Sequence, residues 1–233
     1  MPDLPNLPQT EIVIVALTNA FRQENKLGAV TPNKELAAAA RWFAEYLART
    51  DKFAHEADGR EPQQRASAHG YKYCMVAENL ARNLDSRGYT AQRLAAEVVE
   101  GWKNSPPHRQ NLVEADATEI GVSVVRAPDK HPKFVSVQMF GRPETSKVTF
   151  SITNSAQLPV SYTLGREAHV IEARMIVTHE HCASGKISFD RAGSWLSGSS
   201  IGVSFDPQNG VSFTLRQASR NRVVVETGTT KKK

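Results

Sequence analysis

Three segments in the first half of the chain carry side chains that could do chemistry together. His55 follows Phe53 by two residues, Glu78 stands beside Asn79, and His108 follows two prolines. Two neutral imidazoles and a carboxylate suit Zn²⁺, and three protein ligands with one open position are typical of a hydrolytic rather than a structural zinc site. Glu78 beside a metal-bound water could then act as a general base.

A simpler interpretation of the same residues needs no metal. Two histidines and an acid can form a polar, hydrogen-bonded cleft that is structural or that binds a ligand. No nucleophile accompanies them, because Ser105 precedes a proline and the chain has no Gly-x-Ser-x-Gly motif. Both interpretations stay open from the residues themselves.

Polar residues near these segments are expected to be structural. Asn79 and Asn111 would satisfy nearby backbone groups. Arg65 and Arg109 could pair with acids at the cleft edge, and pairing at the surface is the favoured interpretation.

Two helical patterns open the chain. The spacing of Ile14, Leu17 and Phe21 predicts a helix that ends near residues 27–28. Thr31 as N-cap followed by Pro32 predicts the start of a second helix. Its apolar face consists of Leu36, Ala40, Phe43 and Leu47.

A third helix leads to His108. It is predicted to begin at the N-cap Thr90, and its apolar face consists of Leu94, Val98 and Trp102. The prolines that follow remove a backbone donor and disfavour α geometry before them, so the helix is expected to stop near Asn104 or Ser105 and to leave His108 on the turn.

The hydrophobic period then changes from helical to alternating. Residues 120–125 and 135–139 alternate around a turn, which predicts a hairpin and an α+β domain over residues 1–143. From residue 148 onward the pattern is all strand, which predicts a β-sandwich or barrel over residues 144–233.

Composition narrows the class of protein. The 233 residues carry a formal net charge of +5, with 40% hydrophobic and 23% charged residues, as is ordinary for a soluble globular protein. The lysines at 231–233 are expected to be a solvated tail, so nucleic acid is not an expected partner. No apolar run suggests a membrane span, and no signal-peptide pattern opens the chain. The chain is therefore cytosolic or a mature form without its leader.

Two further groups of residues could carry chemistry. Cys74 and Cys182 could form one long-range disulfide in an oxidising compartment, or remain free thiols in the cytosol. His179 and His181 would share one face of a strand, and a local histidine cluster without metal is the favoured interpretation of this pair.

The order of the motifs resembles a known family. Phe-x-His, Glu-Asn-Leu-Ala, Trp-x-x-Ser-Pro-x-His-Arg-x-Asn-Leu, Glu-x-Gly-Val and Val-Gln-Met-Phe-Gly follow one another between residues 53 and 141, after Asn19-x-x-Arg22. Over residues 10–142 the chain resembles bacterial members of the CAP, or SCP, superfamily of cysteine-rich secretory, antigen 5 and pathogenesis-related proteins.

This resemblance implies an α-β-α sandwich, export, and a cleft tetrad of two histidines and two acids. By motif position His55 and His108 match the histidines, and Glu78 matches one acid. The fourth member would be Glu100 or Glu97, because Trp102-x-x leads here to a serine.

The resulting hypothesis is a secreted or periplasmic two-domain protein. Its CAP domain would bind a lipid, a sterol or another cell-envelope ligand, with zinc or another divalent metal as the expected cofactor. The alternative is a zinc-dependent, peptidase-like hydrolase that uses Glu78.

Overall fold

The computed structural model describes residues 3–165, 167–182, 185–189, 203–219 and 222–229. The chain divides into two units, residues 1–145 and 146–233. The predicted lysine tail at 231–233 and the beginning of the strand predicted at residue 201 lie outside the described residues. Within the described part, no helix combines the length and apolarity needed to cross a membrane.

The first unit is built around a mostly antiparallel sheet. Its elements are α1 (Leu7–Glu24), β1 (Thr31–Pro32), α2 (Lys34–Thr50), α3 (Pro62–Ala68), β2 (Tyr73–Leu84), α4 (Ala91–Asn104), α5 (Pro106–Leu112), β3 (Glu119–Ala127) and β4 (Lys133–Pro143). The strand order is β1-β3-β4-β2, with β1 parallel to β3 and the other pairs antiparallel. A short 3-10 helix, Glu144–Ser146, follows.

Both faces of this sheet are covered by helices. Because side chains alternate along a strand, Phe134 and Phe140 of β4 pack in a core that contains Ile14 of α1 and Val98 of α4. Val135, Val137 and Met139 pack on the other side with residues of α2 and α3 such as Phe43 and Ala66. The predicted α-β-α sandwich is confirmed.

The predicted start of the second helix was wrong by two residues. Thr31 and Pro32 pair in parallel with Glu119 and Ile120, so they are strand rather than cap. The N-cap is Asn33, whose side chain accepts hydrogen bonds from the backbone N–H groups of residues 35 and 36. A tertiary strand contact therefore overrides a local capping signal.

The helix before His108 ends as predicted, but its surroundings differ. Thr90 caps α4 and the helix stops at Asn104. The two prolines then occupy the first positions of α5, so His108 lies in a helix and not on a turn. Proline fits the first helical turn because its missing N–H would be unpaired there in any case.

The motif Asn19-x-x-Arg22 fixes the end of α1, which stops at Glu24 rather than near residues 27–28. Asn19 exchanges two hydrogen bonds with the backbone of Val30. Arg22 is 1% exposed and donates to the carbonyl oxygens of Gly28, Leu112, Glu114 and Ala117. These bonds hold the C-terminal end of α5 against α1.

The second unit is a β-sandwich. Its strands are β5 (Val148–Asn154), β6 (Val160–Leu164), β7 (Glu167–Ile171), β8 (Ile176–His181), β9 (Ile187–Phe189), β10 (Val203–Phe205), β11 (Val211–Ser219) and β12 (Arg222–Thr229). They form two sheets, β10-β9-β6-β7 and β12-β11-β5-β8. Phe150 and Phe213 of one sheet share a core with Tyr162 and Phe189 of the other. The all-β prediction is confirmed, although β7 was not predicted.

Candidate functional site

His55 and Glu78 meet in the first unit. His55 lies in the loop between α2 and α3, which Tyr46 holds through a hydrogen bond to the carbonyl oxygen of Ala57. Its Nδ1 lies 2.8 Å from Oε1 of Glu78 on β2. Because a carboxylate only accepts, Nδ1 carries the proton in this hydrogen bond. The His55 side chain is 47% exposed, whereas that of Glu78 is 1% exposed.

The partner that dominates Glu78 is Arg65, and here the expectation of surface pairing was wrong. Nη2 of Arg65 donates to both carboxylate oxygens of Glu78 at 2.9 Å. Nη1 donates to Asp58 at 2.8 Å and to the carbonyl oxygen of Arg60. The side chain of Arg65 has no exposed surface, and its guanidinium lies 3.6 Å from the ring centroid of Phe43. One buried cation therefore holds two buried carboxylates.

This arrangement does not fit Glu78 as a metal ligand or as a strong base. Both oxygens already accept hydrogen bonds from a positive guanidinium, and Oε1 also accepts from His55. A cation at Glu78 would have to displace Arg65 or lie against its charge. Among the described residues, no three His, Cys, Asp or Glu side chains are placed to share a metal ion.

His108 is positioned by a separate set of hydrogen bonds. Asn79, which follows Glu78 on β2, is buried and donates to the backbone oxygen of His108 at 3.2 Å. Asn111, one turn later on α5, donates to Oδ1 of Asn79 and to the backbone oxygen of Glu78. The structural role predicted for both asparagines is confirmed, because they join α5 to β2.

The hydrogen-bonded chain continues into the core. Asn79 also donates to Oε1 of Gln138 on β4, and Gln138 donates to the hydroxyl of Thr18 on α1. All three side chains are buried. The backbone carrying His108 is thus linked through β2 and β4 to α1 by paired polar groups, which favour a single arrangement.

The pKa of His108 depends on its surroundings. Partial burial lowers the pKa of His108 from its ordinary value, and the charge of His55 lowers it further. Burial disfavours the charged imidazole because it removes water, and a second cation nearby acts in the same direction. His108 is therefore neutral at pH 7.

His108 also lines a groove of about 440 Å³ between α4 and β2. The groove is lined by both apolar and polar residues. Its lining consists of Phe53, Leu80, Ala81, Arg82, Asn83, Glu97, Val98, Gly101, Trp102, Ser105 and His108. The buried Trp102 donates its indole N–H to the backbone oxygen of Leu80, which fixes the wall. His55 and Glu78 are not part of this lining.

The candidates for the fourth cleft acid occupy different surroundings. Glu97 lines the groove and accepts a hydrogen bond from Arg93. Glu100 is 62% exposed and pairs with Asn104 and Lys103. Glu97 is therefore the acid that shares a surface with His108.

Other residues singled out from the sequence lie elsewhere. Arg109 is exposed and stacks on Phe21 with 4.9 Å to the ring centroid, so its predicted pairing with an acid was wrong. Cys74 and Cys182 are both disulfide-bonded. His179 gives its Nε2 to a hydrogen bond with Tyr162.

Sequence reasoning missed the two features that define the site. Arg65 was not recognised as the shared partner of Glu78 and Asp58, and the local signal was the Asp58-Gly59 turn, in which Gly59 has φ +77°. The groove wall was treated as core, because the spacing of Val98 and Trp102 on α4 is the same whether a face is covered or partly open.

A sheet covered by helices on both faces defines the class of α-β-α sandwich proteins. Within that class, the profile described as "CAP: Cysteine-rich secretory protein family" matches residues 15–140, more than half of the chain. The chain belongs to this family.

The chain is also similar to individual proteins. The uncharacterized protein YkwD of Bacillus subtilis (strain 168) is 30% identical over 115 residues, which are 49% of this chain and 42% of YkwD. An outer surface protein from Borrelia burgdorferi is similar in structure, with a TM-score of 0.50, 22% identity, and coverage of 57% of this chain and 92% of that protein. An extracellular SCP-domain protein from Bacillus anthracis str. Ames gives a TM-score of 0.48 at 23% identity, covering 58% of this chain and 41% of that one. The chain thus spans less than half the length of YkwD.

Proposed function

We propose that the first unit is the binding module of an exported protein, and that the groove beside His108 takes an amphipathic molecule of the cell envelope, such as a lipid. The observation that carries this proposal is the lining of the groove. Phe53, Val98 and Trp102 supply apolar groups, and Arg82, Glu97 and His108 supply charged and polar groups. A ligand with an acyl portion and a polar head offers a partner for both kinds of group.

The contacts of Glu78 favour binding over hydrolysis. A general base needs a lone pair that can reach the proton it removes. In Glu78 the lone pairs face Arg65 and His55 inside a buried ion pair. The same contacts hold the loop of His55 beside β2, so Glu78 has a structural role without catalysis.

Export rests on the family and on the cysteines. The family is described as secretory, and both cysteines of the chain are disulfide-bonded. Disulfides persist in oxidising compartments and are rare in the cytosol. Counting free thiols in unfolded protein before and after reduction tests this part: two free thiols before reduction would contradict it.

Gly101 offers a direct test of the groove. It lies in α4 and lines the groove, and a Cβ built on it meets no atom within 4 Å. Gly101→Phe should therefore fill the groove without a clash at Cβ. Gly28, where a Cβ also meets open space, lies outside the groove and gives the matched control Gly28→Phe.

The assay is lipid capture. Protein is incubated with phosphatidylglycerol and phosphatidylethanolamine vesicles, reisolated, and analysed by native mass spectrometry, with cholesterol-containing vesicles as a sterol arm. The wild-type protein and Gly28→Phe should retain lipid, and Gly101→Phe should lose it. Equal retention in all three proteins, or none in the wild type, would contradict the proposal.

Divalent metal is a separate part of the proposal. With Glu78 committed to Arg65, the two imidazoles of His55 and His108 are the donors that remain for zinc. Calorimetric titration of Zn²⁺ into the wild type and into His55→Ala/His108→Ala tests them. Zinc uptake that is unchanged in the double variant would exclude these donors.

The hydrolase alternative has its own test. Turnover of a peptide library that disappears in Glu78→Gln would support it. Activity that survives this substitution would have another source.

A further inference from the structure

The second unit contains a cluster of imidazoles that the proposed function does not use. His169 lies on β7 and His179 on β8, with 5.4 Å between their ring centroids. His181 follows two residues later on β8, so its side chain leaves the same face of the strand as that of His179. Three of the seven histidines of the chain thus lie at one place in the sandwich.

The cluster joins the two sheets. β7 belongs to the sheet β10-β9-β6-β7 and β8 to the sheet β12-β11-β5-β8. His179 is stacked on Phe150 of its own sheet, and its Nε2 lies 2.7 Å from the hydroxyl of Tyr162 on the other sheet. Tyr162 also stacks on His169, with centroids 5.2 Å apart. His179 on β8 therefore makes a contact between the two sheets.

Added protons would be poorly accommodated here. The Nε2 atoms of His169 and His181 are buried and, within the described residues, have no hydrogen-bond partner. The groups that face His179 are Tyr162 from β6, Phe150 from β5, and His169 and Glu167 from β7. His181 completes the set from β8 itself. Glu167 is the one acid among them, and it is 77% exposed with 3.7 Å to His169 Nε2.

The strands that carry the cluster are the ones most easily separated. In the described sheets β7 and β8 are both edge strands, so each is hydrogen-bonded along one side. Edge strands with few partners open at lower free energy than central strands. Exposed apolar side chains already lie along this edge at Val170, Met175 and Ile176.

We propose that the His169, His179 and His181 cluster is an acid-sensitive clasp, which holds the β7–β8 edge closed at neutral pH and releases it on acidification. Protonation of the cluster would place positively charged imidazoles close together between the sheets. Opening of the β7–β8 edge would expose these charges to water. Burial, together with the charges of His169 and His181, lowers the pKa of His179, in agreement with this direction.

The sign of the pH dependence follows from proton linkage. The unfolded chain binds a proton at the ordinary histidine pKa of about 6.5, and the closed edge binds it only at lower pH. Closure is therefore complete above about pH 6.5 and weakens as the pH falls below it. For each proton that the unfolded chain binds and the closed edge does not, the equilibrium constant for closure falls by up to about tenfold per pH unit.

Hydrogen exchange on the full-length, disulfide-intact chain tests the clasp. Protection of peptides covering β7 and β8 is compared at pH 7.5 and 5.5 after correction for the intrinsic exchange rate. Wild-type protection should fall by about tenfold, the effect of one excluded proton over one pH unit. His179→Gln should keep its protection, because the amide can accept from Tyr162 and does not titrate.

Two further proteins make the test decisive. His131→Gln removes a histidine of the first unit and should behave as wild type. His169→Gln is the second cluster variant, for use if His179→Gln fails to fold. It removes the other imidazole of the His169–His179 pair, at a side chain that is 30% exposed. Equal wild-type protection at both pH values, or an unchanged loss in both cluster variants, would overturn the proposal.

Discussion

Replacing Arg65 by methionine tests whether its ion pairs with Glu78 and Asp58 stabilise the fold as buried pairs or contribute as little as a surface ion pair. Methionine keeps an unbranched, apolar stem but removes the guanidinium, and with it the contact over the ring of Phe43. Glu78 and Asp58, whose side chains are 1% and 2% exposed, would then be buried carboxylates without their cation. His55 would be the remaining partner of Glu78.

The expected loss is large. Removing one partner of a buried ion pair typically costs about 3–5 kcal/mol, because the other charge stays buried and uncompensated. An exposed pair contributes roughly 0–1 kcal/mol. For a domain of this size, about 3–5 kcal/mol corresponds to a decrease in Tm of about 10–20 °C.

Differential scanning calorimetry of the full chain measures this difference. Arg109→Met is the matched control, because Arg109 is exposed and stacks on Phe21. It should change stability by less than about 1 kcal/mol. Adding Glu78→Gln to Arg65→Met should recover part of the loss, since it removes one of the stranded charges.

A decrease in Tm of Arg65→Met no larger than that of Arg109→Met would contradict a buried ion-pair role for Arg65. The two carboxylates would then tolerate the loss of their cation, and Glu78 would be available for the metal-ligand or base role that its contacts now argue against.

Three other perturbations test the site. His55→Ala should raise the pKa of His108 toward its ordinary value, because one of the two causes of its lowered pKa is removed; an unchanged His108 pKa by NMR would show that the imidazoles are not coupled. Since the lowered pKa makes the native state bind that proton less readily, the first unit should lose stability as the pH falls below about 6.5, and His108→Gln should reduce this loss in urea unfolding. Asn79→Ala should lower the free energy of unfolding in urea by about 1–3 kcal/mol, because it leaves buried partners unpaired. Asn104→Ala, at an exposed side chain, should lower it much less. Equal losses would contradict a positioning role for Asn79.

The sequence predicted the layers of the fold because they depend on local periodicity. The face of α4 formed by Leu94, Val98 and Trp102 is visible at helical spacing, and the alternation in β3 and β4 is visible at a period of two. The start of α2 could not be predicted in the same way, because Thr31-Pro32 is a sound capping signal until Glu119 and Ile120 supply a strand partner.

The sequence predicted which residues belong to the site, but not which residues they contact. His55, Glu78 and Asn79 follow from motifs that a short stretch of chain can carry. The role of Arg65 arises because α3 places it between Asp58 and Glu78. Glu78 lies thirteen residues later in the chain, on β2. An arginine in a polar stretch is ordinarily a surface residue, so burial of this one is visible only once the chain is folded.

The most direct test of the binding groove uses the Trp102 indole N–H, which donates to Leu80 at the groove wall. A fatty acid carrying a spin label near the end of its acyl chain is titrated into isotopically labelled protein, and signal loss is followed by NMR. If the groove binds the acyl chain, the signals of the Trp102 indole and the Gly101 amide should broaden early in the titration. In Gly101→Phe, the Trp102 signal should be retained in the presence of the label. Broadening confined to other surfaces, or no broadening at saturating lipid, would contradict binding in the groove.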